Sequence, residues 1–156
     1  MSNPIFVMPA PQVDFPQVRP RQFRVLLADD NPGILQQVCA MIGKDFDIVA
    51  ALPDGESALK KALELKPDLL ILDISMGRMS GLEVAHILRE RGLTSRLMFL
   101  TIHQESDFVE AAWASGATGY VVKSHLTSDL IPAVSAVMEG DLFMSPCLAQ
   151  SDNLTN

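Results

Sequence analysis

Apolar residues fall along this chain in two alternating rhythms. Val25-Leu26-Leu27-Ala28 is an unbroken apolar run, whereas Ile34, Leu35, Val38, Met41 and Ile42 recur at helical spacing and stop at Gly43. A strand followed by a helix is predicted. The pair then repeats. Ile48–Leu52 precedes a helix from about Gly55 that closes before Lys66-Pro67, where the residue ahead of proline leaves the helical region. Leu69–Leu72 precedes a helix from about Gly81 to Arg91, Leu97–Leu100 one from Asp107 to Ser115, and Tyr120–Val122 one from Thr127 to Glu139. Strands that are apolar throughout, rather than on alternate residues, are covered on both faces. The expected fold class is therefore α/β, a doubly wound parallel sheet of five strands flanked by five helices.

In such sheets, functional groups gather beyond the carboxyl ends of the strands. Asp29-Asp30 follows the first strand, Asp73 the third and Lys123 the fifth, and Thr101 ends the fourth; the second ends in Leu52-Pro53 without a reactive group. If the spatial order is 2-1-3-4-5, the first and third strands are neighbours about 4.8 Å apart, and three carboxylates then crowd one rim. A lysine two strands away can reach them. Unit charges ~4 Å apart interact by about 4 kcal/mol at an effective dielectric near 20, so bare anions there are costly. Lys123 offsets part of the repulsion, and Mg²⁺, which takes carboxylate, carbonyl and water oxygens, offsets more. A competing structural reading makes Asp30 the cap of the helix that Asn31-Pro32-Gly33 opens. Convergence of Asp73, Thr101 and Lys123 on the same rim favours the metal site over the cap.

Composition narrows the picture further. The chain has 156 residues, enough for one domain, with 48% hydrophobic residues and a formal net charge of −7. That charge repels phosphate backbones, so direct nucleic acid binding is not expected. No segment approaches the roughly 20 apolar residues of a membrane span, and no secretory leader pattern is present, so no membrane association and a cytoplasmic location are expected. Cys39 and Cys147 lie far apart without a CxxC spacing and read as small apolar side chains. Residues 1–22 carry five prolines and are expected to form a flexible leader. Residues 23–145 form the expected domain, and 146–156 a frayed polar tail or the start of a linker. GxxxxGK[ST] and GxGxxG are absent, which argues against a P-loop enzyme or a dinucleotide binder. Asp29-Asp30-Asn31 does not supply the Asp-x-Asp of haloacid dehalogenase phosphatases.

The stretches VLLADDNPGIL, LLILDISMGRMSGLEV, LMFLT and GATGYVVKSHLTSDLIPAVSAVMEG resemble the receiver domain of two-component response regulators, in the NarL/FixJ-type branch. The resemblance implies the strand order 2-1-3-4-5 of a flavodoxin-like, CheY-like fold. It implies that Asp73 accepts a phosphoryl group from a sensor histidine kinase, and that Mg²⁺ is held by Asp30, Asp73 and the Ser75 carbonyl, with Asp29 direct or through water. Lys123 and Thr101 would contact the phosphoryl oxygens, with Thr101 and Tyr120 as the switch and the face of the fourth helix, fifth strand and fifth helix as the readout. Tyr120 can equally be a half-buried strand aromatic with a wet hydroxyl. Homodimerisation on phosphorylation is the family expectation. Two readings of the output stay open, control of transcription through a DNA-binding domain that this chain does not contain, or a stand-alone receiver acting in a phosphorelay. Departures are Gly77 where the family has proline, Ser124 after Lys123 with an expected cis bond, and Ile102, whose bulk is expected to shield the phosphoryl group. His103 lies two positions past Thr101 and reaches the site by analogy only.

Overall fold

The computed structural model describes residues 22–149. The expected leader and the end of the tail therefore lie outside the described residues. Strands β1 (Arg24–Ala28), β2 (Asp47–Leu52), β3 (Leu69–Leu72), β4 (Arg96–Thr101), β5 (Gly119–Val122) and β6 (Phe143–Met144) alternate with helices α1 (Pro32–Ile42), α2 (Gly55–Leu65), α3 (Gly81–Glu90), α4 (Ser106–Ala114) and α5 (Leu126–Met138). They form one sheet in the order β2-β1-β3-β4-β5-β6, every pair parallel. The predicted five strands thus become six. The extra strand is two residues long, too short to leave a periodic signal, and it extends the sheet beyond β5.

The central strands are apolar on both faces because both faces are covered. Leu26, Leu70, Leu72 and Phe99 point into one layer with α2, α3 and α4, while Val25, Leu27, Ile71 and Met98 point into the other with α1 and α5. β2 is only half-buried, as an edge strand should be. Register aligns Ala28 with Leu72 and Leu72 with Phe99, so the chain leaves β1 and β3 side by side at the same rim.

Local signals set the helix starts at that rim. Asn31, not Asp30, caps α1, its side-chain oxygen accepting from the Gly33 and Ile34 amides, with Pro32 in the first turn. Ser80 and Glu83 form a reciprocal capping box at α3. Past β6, residues 146–149 are helical, and Leu148 is buried. The tail expected to fray directly after Ser145 is therefore packed for at least one more turn, because Leu148 finds an apolar site against α4.

Candidate functional site

Asp29 and Asp73 sit one residue past β1 and β3. Each backbone amide still pairs with the neighbouring strand: Asp29 N–H donates to the Leu52 carbonyl (3.0 Å) and Asp73 N–H to that of Ala28 (3.0 Å). The ladder fixes both residues before their side chains act. Asp29 and Asp73 are almost fully buried, at 1% and 3% exposure, while Asp30 is exposed at the mouth. The three carboxylates offer oxygens that all lie within 4.8 Å of one another.

Lys123 crosses from the end of β5 to meet them. Its Nζ lies 2.7 Å from Asp29 Oδ2 and 3.0 Å from Asp73 Oδ2. Only the Asp73 contact has hydrogen-bond geometry; Asp29 Oδ2 is buried yet takes no aligned donor. Asp29 Oδ1 accepts from the Asn31 amide (2.8 Å), and Asp73 Oδ1 from the Ser75 amide (3.3 Å). Burial pushes the Asp29 carboxyl above its usual range, with Lys123 and the Asn31 amide only partly opposing this and the Asp73 charge adding to it. Burial alone would pull Lys123 down, but its close contacts with Asp29 and Asp73 and the attraction of their charges outweigh that and hold it up.

Three carboxylates against one ammonium leave two negative charges unbalanced. A buried carboxylate on Asp29, an exposed one on Asp30 and an oxygen-only donor set fit a hard divalent cation of the Mg²⁺ type. A cavity of about 460 Å³ lies at the opposite end of the sheet beside Lys66, Arg91 and Arg96 and has no part in this chemistry.

Thr101 is fully buried at the end of β4, its hydroxyl oxygen 3.4 Å from the amide of His103. Tyr120 is also fully buried; its hydroxyl donates to the His103 carbonyl at 2.8 Å. A half-buried ring with a wet hydroxyl is thereby replaced by an inward ring with a satisfied one. Burial first, then the nearby charges of Glu105 and Asp73, raise the Tyr120 phenol beyond its usual range. Ser75 is exposed on the loop after Asp73, and His103 Nε2 lies 2.6 Å from its hydroxyl. The His103 ring stacks on Phe108 at 4.0 Å between centroids. That bridge joins the loops after β3 and β4, and nothing in the residues beyond family analogy announced it.

Two further expectations are corrected. The Lys123–Ser124 bond is trans, since the described chain has no cis peptide. Ile102 is 66% exposed and projects into solvent, so His103 and not Ile102 closes over the Ser75 loop. Sequence reading also missed Gly81: a Cβ there would collide with the Asp73 carbonyl oxygen, so α3 packs directly on the backbone of Asp73.

A profile for the response regulator receiver domain matches residues 25–135. The chain is 32% identical to the nitrate/nitrite response regulator protein NarL of Escherichia coli over 126 residues, 80% of this chain and 58% of that protein. It is 35% identical to the transcriptional regulatory protein PdtaR of Mycobacterium tuberculosis, over 81% of this chain and 61% of that one. The chain thus spans about three fifths of the length of these relatives. Among solved structures, a two-component response regulator of the LuxR family from an Aurantimonas species superposes with a TM-score of 0.79 at 28% identity, covering 87% of this chain and all of that one.

Proposed function

The chain belongs to the response regulator receiver domain family, and from that premise we propose that it is a phosphoacceptor whose Asp73 carries the signal. The observation that supports this reading is the convergence of Asp29, Asp30, Asp73, Thr101 and Lys123 on one rim, with Lys123 already paired to Asp73. A carboxylate oxygen of Asp73 attacks the phosphorus of a phosphohistidine on a sensor histidine kinase. The phosphorus–nitrogen bond breaks, a phosphorus–oxygen bond forms, and the released imidazole takes up a proton. Side chains have little covalent work in such a transfer; they place the acceptor in line and neutralise the equatorial oxygens.

Each residue has a part in that placement. The β1 and β3 ladder bonds hold Asp29 and Asp73, and Lys123 supplies an ammonium within 3.0 Å of the accepting carboxylate. Thr101 presents a hydroxyl at the end of β4 that can reach a phosphoryl oxygen once one is present. Asp29, Asp30, Asp73 and the Ser75 carbonyl are the groups that would hold Mg²⁺, which when bound supplies charge neutralisation at the phosphoryl oxygens. Hydrolysis of the acyl phosphate returns the carboxylate, so the domain's chemistry is confined to itself.

The readout is the face of α4, β5 and α5, reached through Thr101, His103 and Tyr120. A phosphoryl group adds about −1.5 to −2 charges and three acceptor oxygens, sufficient to bias a two-state element. Control of transcription through a DNA-binding domain is the reading that the relatives' printed names favour, with dimerisation on phosphorylation as the step between; a stand-alone relay is the alternative. We place the protein in the cytoplasm, where sensor kinases present their phosphohistidines; no helix among the described residues is long and apolar enough to cross a membrane.

The test is incubation with acetyl phosphate and Mg²⁺ followed by intact-mass measurement. The native chain gains one phosphoryl group and Asp73→Ala gains none. A native chain that gains nothing, or a variant that gains as much, overturns the assignment.

A further inference from the structure

Beyond β5 the chain does something that a phosphoacceptor does not require. After α5 it returns as β6, pairs Phe143 and Met144 with Gly119 and Tyr120, and continues into the helical residues 146–149. Ser145, at the join, is fully buried. Its amide donates to the Tyr120 carbonyl (2.9 Å), and its hydroxyl accepts from the Val122 amide (2.9 Å). The side chain thus extends the ladder by one rung where the backbone has turned away. Val122 is the residue before Lys123.

The same segment touches the other half of the switch. Met144 and Leu148 line a notch of about 360 Å³ shared with Val109 and Trp113 of α4. The Trp113 ring lies 6.4 Å from the ring of Tyr120, whose hydroxyl holds the loop after Thr101 through the His103 carbonyl. One short segment is therefore joined to both chain ends that a phosphoryl group on Asp73 would pull, the Lys123 end of β5 and the Thr101 end of β4.

We propose that residues 143–149 form a clasp, with Ser145 as a positioning residue for Lys123, whose closure and the phosphoryl occupancy of Asp73 favour each other. This rests on Asp73 being the phosphoacceptor. A closed clasp keeps Tyr120 inward and the end of β5 fixed, so less ordering remains to be done when the phosphoryl group arrives. By linkage, a phosphoryl group that fixes the same two chain ends tightens the clasp to the same degree. The signal reaches the chain beyond residue 149 as a change in the stability of this clasp, without rearrangement of the sheet.

The experiment uses the full chain, with beryllofluoride and Mg²⁺ as the acyl phosphate mimic. Deuterium uptake is followed in residues 143–149, and binding by the emission of Trp113, the one tryptophan of the sequence. Beryllofluoride slows uptake in 143–149 several-fold in the native chain and leaves Asp73→Asn unchanged. Ser145→Ala and Leu148→Ala each raise the half-saturating concentration by about threefold to tenfold, the size expected for one hydrogen bond or a modest packing loss. Val38→Ala, in the α1 layer away from the clasp, lowers the melting temperature but leaves half-saturation unchanged. Unaltered uptake in 143–149 in a chain that gains phosphoryl mass from acetyl phosphate overturns the clasp alone. Equal shifts in all three variants also overturn it, by assigning the effect to general loss of stability. A native chain that gains no phosphoryl mass overturns the phosphoacceptor reading and the clasp together.

Discussion

At the scale of single residues, the site stores an unfavourable charge. Asp29 is buried, its carboxyl is raised above the usual 3.8, and one oxygen lacks an aligned donor. A carboxyl with a raised folded pKa binds its proton more tightly folded than unfolded, so stability falls as pH rises from the unfolded value through the folded one and stays low above it. Asp29→Asn removes that decline. In EDTA at neutral pH the variant should melt several degrees above the native chain, and its advantage should shrink toward pH 4 as the native acid regains its proton. Thermal melts across pH check this, and an advantage that grows on acidification would contradict it. Gly77 carries the opposite kind of constraint. Its φ of 81° lies in the left-handed region, closed to the proline that the receiver pattern usually places there. Gly77→Pro should therefore destabilise by more than about 1 kcal/mol in urea unfolding, despite restoring the common residue.

At the scale of elements, what was legible depended on whether a signal lay within one element or between two. Five strands and five helices could be read because unbroken apolar runs and 3.6-residue spacing are local. The rim could be read because parallel strands end on one side of the sheet, but bringing Asp29, Asp73, Thr101 and Lys123 together also needed the strand order 2-1-3-4-5, which came from the family resemblance and not from the chain's own periodicity. β6 was invisible at two residues, and its partner, the Ser145 hydroxyl on the Val122 amide, joins positions 23 apart. The His103–Ser75 bridge spans 28 residues between two loops and left no periodic trace. Gly81 was read only as a helix start, yet glycine is not favoured inside the first turn, and that mismatch was the available clue. Its real cause is contact: α3 rests on the Asp73 carbonyl, and the Gly81 amide donates to the Ile74 carbonyl at 2.8 Å. Gly81→Ala should cost about 1–3 kcal/mol by overpacking and shift Asp73 enough to slow phosphoryl uptake. Urea midpoints and the rate of mass gain from acetyl phosphate test both parts; full-rate uptake would show that α3 does not position the acceptor.

At the scale of the whole molecule, two electrostatic accounts compete. The chain carries a formal net charge of −7, so any added cation relieves general repulsion. The acidic rim is a local excess of two negative charges, from three carboxylates against Lys123, and a divalent ion bound there stabilises only the folded state. The accounts separate because screening depends on ionic strength while binding depends on the ion and its ligands. At ten times its dissociation constant a folded-state ligand adds about 1.4 kcal/mol. For a domain of this size that is a rise of roughly 3–6 °C in melting temperature. Mg²⁺ should produce that rise in the native chain, NaCl at matched ionic strength should produce little of it, and Asp30→Asn should lose most of it. Asp30 is the informative position, since it is exposed and its neutralisation disturbs no packed contact. If NaCl matches Mg²⁺, the rim holds no specific ion. If Asp30→Asn keeps the full rise, the ion sits elsewhere. Retention of the Mg²⁺-dependent rise in the presence of NaCl, together with its loss in Asp30→Asn, places the ion at the acidic rim with Asp30 among its ligands.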